Sequence, residues 1–282
     1  MRRQINQKFI DFLNTNHQQE WQPTPSPEAA VRWLRDLLDY LFPNTALHNI
    51  AMYDCLLKKN QVDLENILAS YLSNQGFDLE KIVDDFYSSL ESIYLDLRQD
   101  AQATVNSDPA ATSIHEVIVS YPGFFATAVY RLANSLLSLN VPILPRILAE
   151  YAHSNTGIDI HPKAEIGVPF VIDHGTGIVI GETTFIGKNV TIYQGVTLGA
   201  LHVEKDLSSV KRHPTVGDNV IIYARTTILG GKTLVGDNCI IGGSVFLTRS
   251  VEPNTNVFNT HQLRITSNDK KIKDYEVTIQ AS

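Results

Sequence analysis

Asp159 and His174 are the pair of side chains in this sequence best suited to general-base chemistry. They stand fifteen residues apart, and a second carboxylate, Asp173, directly precedes the histidine. A carboxylate that fixes one imidazole nitrogen leaves the other nitrogen free to take a proton from a substrate hydroxyl. The alternative is that His174 is merely a turn histidine beside a turn aspartate. Which interpretation holds depends on the element that carries these residues.

That element has an aliphatic residue at every sixth position. A six-residue period fits neither a helix nor an ordinary strand, and it predicts a prism-shaped parallel β-helix in which three hexads close one coil. A coil of about eighteen residues places Asp159 and His174 on successive coils near one corner. The aliphatic positions are Ile160, Ile166, Ile172, Ile180, Ile186, Ile192, Leu198, Val216, Ile222, Leu229, Val235, Ile241 and Leu247.

The series is interrupted three times, and the interruptions are candidate functional sites. Two extra residues lie within 173–177, and a segment without the period, 199–215, predicts a loop extruded from one corner. The loop ends in Lys211-Arg212-His213-Pro214. A single extra residue lies between Ile222 and Leu229. Because a solenoid needs no polar insertions at its corners, such insertions are the first places to look for function.

The rest of the chain predicts helices before the solenoid and a polar tail after it. Ser26 is a predicted N-cap followed by Pro27, and apolar residues keep helical spacing from Leu79 to Leu97. We therefore predict an α+β protein with an α-helical oligomerisation domain at 1–156, a β-helix catalytic domain at 157–253 and a tail at 254–282.

Composition excludes several classes of function. The formal charge of −7 argues against a nucleic-acid surface, and no apolar run approaches the roughly 20 residues that cross a bilayer. The first residues lack the apolar stretch of a signal peptide. Cys55 and Cys239 form no metal or redox motif, so we expect a cytoplasmic protein.

Several segments are similar to those of serine O-acetyltransferases, which belong to the hexapeptide-repeat acyltransferases. The resemblance extends over roughly residues 105 to 255 and includes upstream matches within the helical region. The matching segments are Asp159-Ile160-His161-Pro162, Asp173-His174-Gly175-Thr176-Gly177-Ile178-Val179-Ile180-Gly181-Glu182, Gly195-Val196-Thr197-Leu198-Gly199, Arg212-His213-Pro214, Asp108-Pro109-Ala110 and Tyr130-Arg131.

This resemblance implies acetyl transfer from acetyl-CoA to the hydroxyl of L-serine, giving O-acetyl-L-serine for cysteine biosynthesis. His174 would be the base and Asp159 its orienting carboxylate. Acetyl-CoA would be a co-substrate, and neither a permanent cofactor nor a metal is implied. Asp108 and Asp173 would hold the substrate ammonium, Arg212 with His213 its carboxylate, and the backbone near Gly199, Ala200, Ala224 and Gly242 the pantetheine arm. For Asp108 alone, the alternative is an ordinary helix N-cap.

The resemblance also implies an assembly and a regulator. We expect a left-handed parallel β-helix that forms a homotrimer, or a dimer of trimers joined through the helical domains, and L-cysteine as a feedback inhibitor. The loop at 199–215 is longer than in typical bacterial members. Docking to O-acetylserine sulfhydrylase is left open, because the chain ends in Gln280-Ala281-Ser282 where docking members end in isoleucine.

Three other functions fit the same solenoid. One is an acetyltransferase acting on a sugar or another hydroxyl, which would leave Arg212 and the two aspartates without an amino acid to bind. A second is a zinc enzyme resembling γ-type carbonic anhydrases, with ligands drawn from His161, His174, His202 and His213. The third is a scaffold without catalysis.

Overall fold

The computed structural model describes residues 6–20, 22–43, 49–73, 75–201, 210–265 and 275–279. They belong to two compact units, Met1–Tyr87 and Ser88–Ser282. Part of the extruded loop, including His202, and the chain end at 280–282 lie outside the described residues. The predicted division at 156 and 253 stays a prediction.

The first unit is helical, and its buried core combines aliphatic side chains with the rings of Trp33 and Phe86. Ser26 accepts a hydrogen bond from the Ala29 amide at 3.3 Å, which confirms the predicted N-cap. Trp33 is buried, and its ring centroid lies 5.7 Å from that of Phe86. The helices are α1 (Gln7–Glu20), α2 (Pro27–Leu41), α3 (Ile50–Leu72) and the beginning of α4 (Leu79–Ser107).

The second unit begins with the rest of α4 and three further helices. Ser113 caps the first of them by accepting from the Glu116 amide at 3.1 Å, and Pro122 begins the next. Gly157 ends the last helix in the left-handed conformation, at φ 70°. The helices are α5 (Ile114–Ser120), α6 (Pro122–Ser138) and α7 (Leu144–Thr156).

The solenoid has three faces of parallel strands, which we call A, B and C. Each strand hydrogen-bonds to strands of neighbouring coils. Face A contains β1 (Asp159–Ile160), β4 (Val179–Ile180), β7 (Thr197–Gly199), β10 (Thr227–Leu229) and β13 (Phe246–Leu247). Face B contains β2 (Glu165–Ile166), β5 (Phe185–Ile186), β8 (Thr215–Val216) and β11 (Leu234–Val235). Face C contains β3 (Phe170–Asp173), β6 (Val190–Tyr193), β9 (Ile221–Ile222), β12 (Ile240–Ile241) and β14 (Asn256–Val257).

The solenoid core follows the predicted six-residue series with one error. Most of the aliphatic positions are fully buried, but Ile228 and not Leu229 points inward, because Ile228 pairs with Leu198. The extra residue therefore falls after Ile228, at the turn of Gly230 and Gly231. A Cβ on Gly231 would lie 2.0 Å from the carbonyl oxygen of Lys211, so this turn lies directly against the end of the extruded loop.

Helices α4 and α6 dock on the first coil through a buried ion pair. Arg131 donates to Asp100 from Nε at 2.7 Å and from Nη2 at 3.0 Å, and also to the carbonyl oxygen of Gly167 at 3.2 Å. Asp100 in turn accepts from the Phe170 amide at 2.8 Å. These bonds fix the second half of α4, whose last residue precedes Asp108, against face C.

Beyond Val257 the described chain forms an antiparallel hairpin of β15 (His261–Ile265) and β16 (Tyr275–Ile279). No described helix is long and apolar enough to cross a membrane.

Candidate active site at two corners of the solenoid

His174 lies at the turn from face C to face A, which we call the C/A corner. The turn is tight, since His174 has φ 57° and Gly175 has φ 88°. A Cβ on Gly175 would lie 2.4 Å from Cδ1 of Ile158, so only glycine lets the turn pack on the first coil. As a result the imidazole projects outward, with 73% of the side chain exposed and Nε2 3.8 Å from Oδ1 of Asp173.

Asp108 joins the same corner from the end of α4. It does not cap a helix, because it follows Ser107 at the end of α4 while Ser113 caps α5. Its Oδ1 accepts from the Ala110 amide at 2.8 Å, and its Oδ2 accepts from the Tyr121 hydroxyl at 2.7 Å. The Ala110 and Tyr121 hydrogen bonds, with a smaller contribution from His174, lower the pKa of Asp108. The carboxylate is therefore anionic at neutral pH.

Asp159 begins β1, where its strand partner on the next coil is Val179, five residues after His174. The Gly177 amide donates to the Gly157 carbonyl at 2.7 Å, and the Asp159 amide donates to the Ile178 carbonyl at 2.9 Å, so the His174 turn rests on the beginning of β1. Among the described residues, His174 has its carboxylate contact with Asp173 and not with Asp159. The orienting role of Asp159 stays a prediction.

Arg212 and His213 lie at a different corner, between faces A and B, which we call the A/B corner. Arg212 pairs with Glu182 through Nη2, and its amide donates to Thr183 Oγ1 at 3.0 Å. Lys163 reaches the same glutamate at 3.2 Å. Although burial opposes the effect, the hydrogen bonds from Arg212 and Lys163 lower the pKa of Glu182, which keeps this carboxylate ionised.

His213 is buried and neutral. Its Nδ1 accepts from the Thr183 amide at 3.1 Å, and its ring fills the space over Gly181, where a Cβ would lie 2.1 Å from Nε2. Burial, and then the neighbouring Arg212 charge, lower the pKa of His213 to about 4. The cationic side chains at this corner are therefore Arg212, Lys163 and Lys211, whose ammonium donates to the Thr183 carbonyl at 2.6 Å.

The structure thus brings the predicted substrate residues together in two groups and not in one. Asp108, Asp173 and His174 meet at the C/A corner, whereas Arg212 and His213 occupy the A/B corner. Face A separates the corners: the four residue-to-residue steps from Ile178 to Glu182 span on the order of 13 Å at about 3.3 Å per step. A single amino acid cannot bridge that distance within one chain.

The residues predicted to contact acetyl-CoA divide in the same way. Gly199 ends β7 and Ala200 follows it at the A/B corner, whereas Ala224 comes after β9 at the C/A corner. Gly242 follows Ile241, the strand partner of Ile222, and therefore lies beside Tyr223 on the next coil. The ring of Phe258 is so close that a Cβ on Gly242 would lie 2.8 Å from its Cδ1. Both corners therefore carry residues predicted to bind the substrate and a pair of small residues.

Sequence reasoning did not find Tyr121, Tyr193 or Tyr223 at the C/A corner. Tyr193 is the strand partner of Asp173, and its ring stacks on Tyr223 with centroids 5.0 Å apart. Burial, and then the Asp173 carboxylate, raise the pKa of Tyr193. Counting coils from Asp173 would have placed both rings here, whereas nothing in the spacing points to Tyr121.

Within the described ranges, which exclude His202, no group of three histidine, cysteine or acidic side chains could hold a metal ion.

Comparison with known proteins identifies the family. Residues 44–128 match the family model described as "Serine acetyltransferase, N-terminal". The serine acetyltransferase of Bacillus subtilis is 40% identical over 177 residues, which cover 63% of this chain and 79% of that protein. The chain belongs to the serine acetyltransferase family. It is therefore an acyltransferase with the predicted fold, a helical region followed by a parallel β-solenoid.

Two further serine acetyltransferases support this membership. A plasmid-encoded one from Synechococcus elongatus is 49% identical over 176 residues, 61% of this chain, and the match spans only 55% of that relative's length. The crystal structure of serine acetyltransferase 1 from Entamoeba histolytica in complex with L-cysteine superposes with a TM-score of 0.74 at 34% identity. That superposition covers 85% of this chain and 88% of the other. Membership in the serine acetyltransferase family favours serine over the sugar, zinc-enzyme and scaffold alternatives.

Proposed function

We propose that the C/A corner acetylates the hydroxyl of L-serine, with His174 as the general base. The observation that carries this proposal is the arrangement of an outward-facing imidazole between two carboxylates, Asp108 and Asp173, of which Asp173 lies 3.8 Å from the ring. An α-ammonium group fits between two anions, and a β-hydroxyl then lies within reach of the base. A neutral sugar has no group that needs such a pair.

In the proposed reaction the serine hydroxyl attacks the thioester of acetyl-CoA directly. His174 takes the hydroxyl proton as the C–O bond forms, the C–S bond breaks, and the imidazolium returns the proton to the departing CoA thiolate. No acetyl-enzyme is expected, because Cys239 is buried in the solenoid and its thiol donates to the Glu252 carbonyl at 3.1 Å. Both substrates must therefore be bound together.

The carboxylate of serine would be held by Arg212 of a neighbouring copy. Since face A separates Arg212 from Asp108 in one chain, a homotrimer that sets the A/B corner of one solenoid against the C/A corner of the next would complete the site. Acetyl-CoA would lie in the groove between the two solenoids, with Gly199 and Ala200 on one side and Ala224 and Gly242 on the other. A dimer of trimers through the helices stays part of the proposal.

L-cysteine is the proposed feedback inhibitor. It carries the same ammonium and carboxylate groups as serine, so both half-sites would bind it, and its thiol would lie beside His174. A related enzyme from Entamoeba histolytica has been solved with L-cysteine bound, which supports this assignment. Docking of O-acetylserine sulfhydrylase would involve the chain end at 280–282, outside the described residues, and is left open.

Thiol release from acetyl-CoA tests the proposed function. The purified protein should release CoA rapidly with L-serine, and far more slowly with L-homoserine or with a panel of simple sugars. The product should be O-acetyl-L-serine by mass spectrometry. Release that is equally fast with a sugar, or an acetyl group trapped on the protein in the absence of serine, would overturn the proposal.

A further inference from the structure

Among the described residues, Tyr121 is the one residue outside the Asp108 turn that donates a hydrogen bond to the Asp108 carboxylate. Asp108 is only partly buried, and its first hydrogen bond, from the Ala110 amide, lies within its own turn. The Tyr121 hydroxyl donates to the other oxygen at 2.7 Å, across thirteen residues of sequence. Each carboxylate oxygen keeps a lone pair free after these bonds, so the group can still accept from a ligand.

Tyr121 is itself fixed relative to the strand that carries Asp173 and His174. It lies at the junction where α5 ends and α6 begins, and its amide donates to the Val117 carbonyl at 3.1 Å. Two residues later the Gly123 backbone approaches β3 so closely that a Cβ would lie 2.4 Å from the Ile172 carbonyl oxygen. Tyr121 therefore connects Asp108 with the residues that follow Ile172.

The electrostatics of Tyr121 and Asp108 agree with this connection. The hydrogen bond to Asp108, and then burial, raise the pKa of Tyr121 to about 12, so the phenol stays a donor. The same bond contributes to the lowered pKa of Asp108. A neutral hydroxyl thus donates to an anionic Asp108 carboxylate.

We infer that Tyr121 is a positioning residue for the ammonium half of the site. Its hydroxyl holds the Asp108 carboxylate at the orientation in which Asp108 and Asp173 flank the amino group of the bound amino acid. Without the hydroxyl, Asp108 would keep only its local bond to Ala110 and could rotate away. This inference rests on the proposed function.

The test uses the full-length protein and the variant Tyr121→Phe, which removes only the hydroxyl. The KM for L-serine should rise about 3–10-fold, as expected when a partly buried carboxylate loses one hydrogen bond and is rehydrated, while kcat stays within about twofold. Inhibition by 3-hydroxypropionate, which resembles serine without its amino group, should not change. Tyr151→Phe, which removes a phenol hydroxyl from α7, is the matched control and should leave KM unchanged.

A double-mutant cycle with Asp108→Asn separates positioning from direct contact. If Tyr121 acts through Asp108, Tyr121→Phe should add no further increase in KM when Asp108 is already asparagine. An equal increase in both backgrounds, or no increase in the wild-type background, would overturn the inference. If the wild-type protein acetylates no serine, the proposed function fails instead, so the two failures are distinguishable.

Discussion

His174 occupies a backbone conformation that an ordinary side chain avoids. Its φ of 57° lies in the left-handed region, which costs a residue with a Cβ roughly 1–2 kcal/mol. Asparagine takes this conformation at Asn189 and Asn219, where the cost is smaller, whereas Arg225 and Ser244 take it at later turns from face C to face A. We interpret the histidine at this turn through its proposed role as the base.

The variant His174→Asn tests that interpretation. Asparagine suits the left-handed turn but cannot serve as a base, so kcat should fall about 10²–10⁴-fold while the thermal unfolding temperature stays equal or rises. Steady-state thiol release and a thermal melt on the same preparation measure both quantities. His153→Ala, which removes an exposed imidazole of α7, should change neither. A folded His174→Asn protein with near-normal turnover would exclude His174 as the base.

The variant Arg212→Ala should weaken serine and cysteine together. Both amino acids present the same carboxylate, and a hydrogen bond to a charged group contributes about 1.5–3 kcal/mol, so each affinity should fall by at least about tenfold. The variant also breaks the ion pair of Arg212 with Glu182 and leaves that of Lys163, so Glu182→Gln is measured beside it. If Arg212→Ala abolished inhibition by cysteine but left the KM for serine unchanged, cysteine would have to act at a separate site.

The buried His213 predicts a dependence of stability on pH. Its folded pKa of about 4 lies below the value near 6.5 of an unfolded histidine. Between these values the unfolded chain binds a proton that the folded chain does not, so stability falls as pH falls. The variant His213→Asn keeps an acceptor for the Thr183 amide but does not titrate. The wild-type melting temperature should therefore drop more than that of the variant between pH 7.5 and pH 5, and parallel curves would contradict this.

At the scale of elements, the six-residue series predicted the strands because each inward position must be apolar. The wrong prediction that Leu229 points inward has the same origin. Ile228 and Leu229 are both aliphatic, so the period alone cannot say on which side of them the extra residue falls. The turn at Gly230 and Gly231 decides it, since it accommodates the chain returning from the extruded loop at Lys211.

Only those residues of the candidate site that belong to a motif or to the coil count could be predicted from the sequence. The number of residues per coil points to His174 and Asp159, and the family resemblance points to Asp108. Tyr121 lies at a helix junction whose position depends on how α6 packs against β3, and no period connects it with Asp108. The division of the site into two corners was open to coil counting, because Arg212 precedes a strand of face B whereas His174 follows a strand of face C.

The close packing of α6 against β3 predicts that a substitution at Gly123 destabilises the protein. In an exposed helix, Gly→Ala stabilises by up to about 1 kcal/mol, but a Cβ on Gly123 would meet the Ile172 carbonyl oxygen at 2.4 Å. We therefore expect Gly123→Ala to destabilise by about 1–3 kcal/mol and to lower kcat/KM for serine, because β3 leads directly to Asp173 and His174. Denaturant unfolding gives the sign, and a stabilised variant would mean that α6 does not pack this closely.

At the scale of the molecule, the proposal gives each solenoid two different half-sites on opposite edges of face A. One edge would bind the ammonium group and hold the base, and the other would bind the carboxylate. The proposed cyclic trimer would set unlike edges of neighbouring copies against each other, so three complete sites would arise from three identical chains. The base and the arginine of one site would then belong to different copies.

Mixed trimers test this arrangement. His174→Asn and Arg212→Ala proteins, each nearly inactive at low serine, are unfolded together and refolded in equal amounts. If the site is shared, every mixed trimer contains one interface with both residues intact, and random mixing restores about one quarter of the wild-type sites. If His174 and Arg212 act within one chain, no site is intact and no activity returns. Mixing His174→Asn with Asp108→Asn is the matched control: both changes fall on the C/A corner, so that mixture should stay inactive in either case, and recovery there would show that Asp108 also acts across the interface.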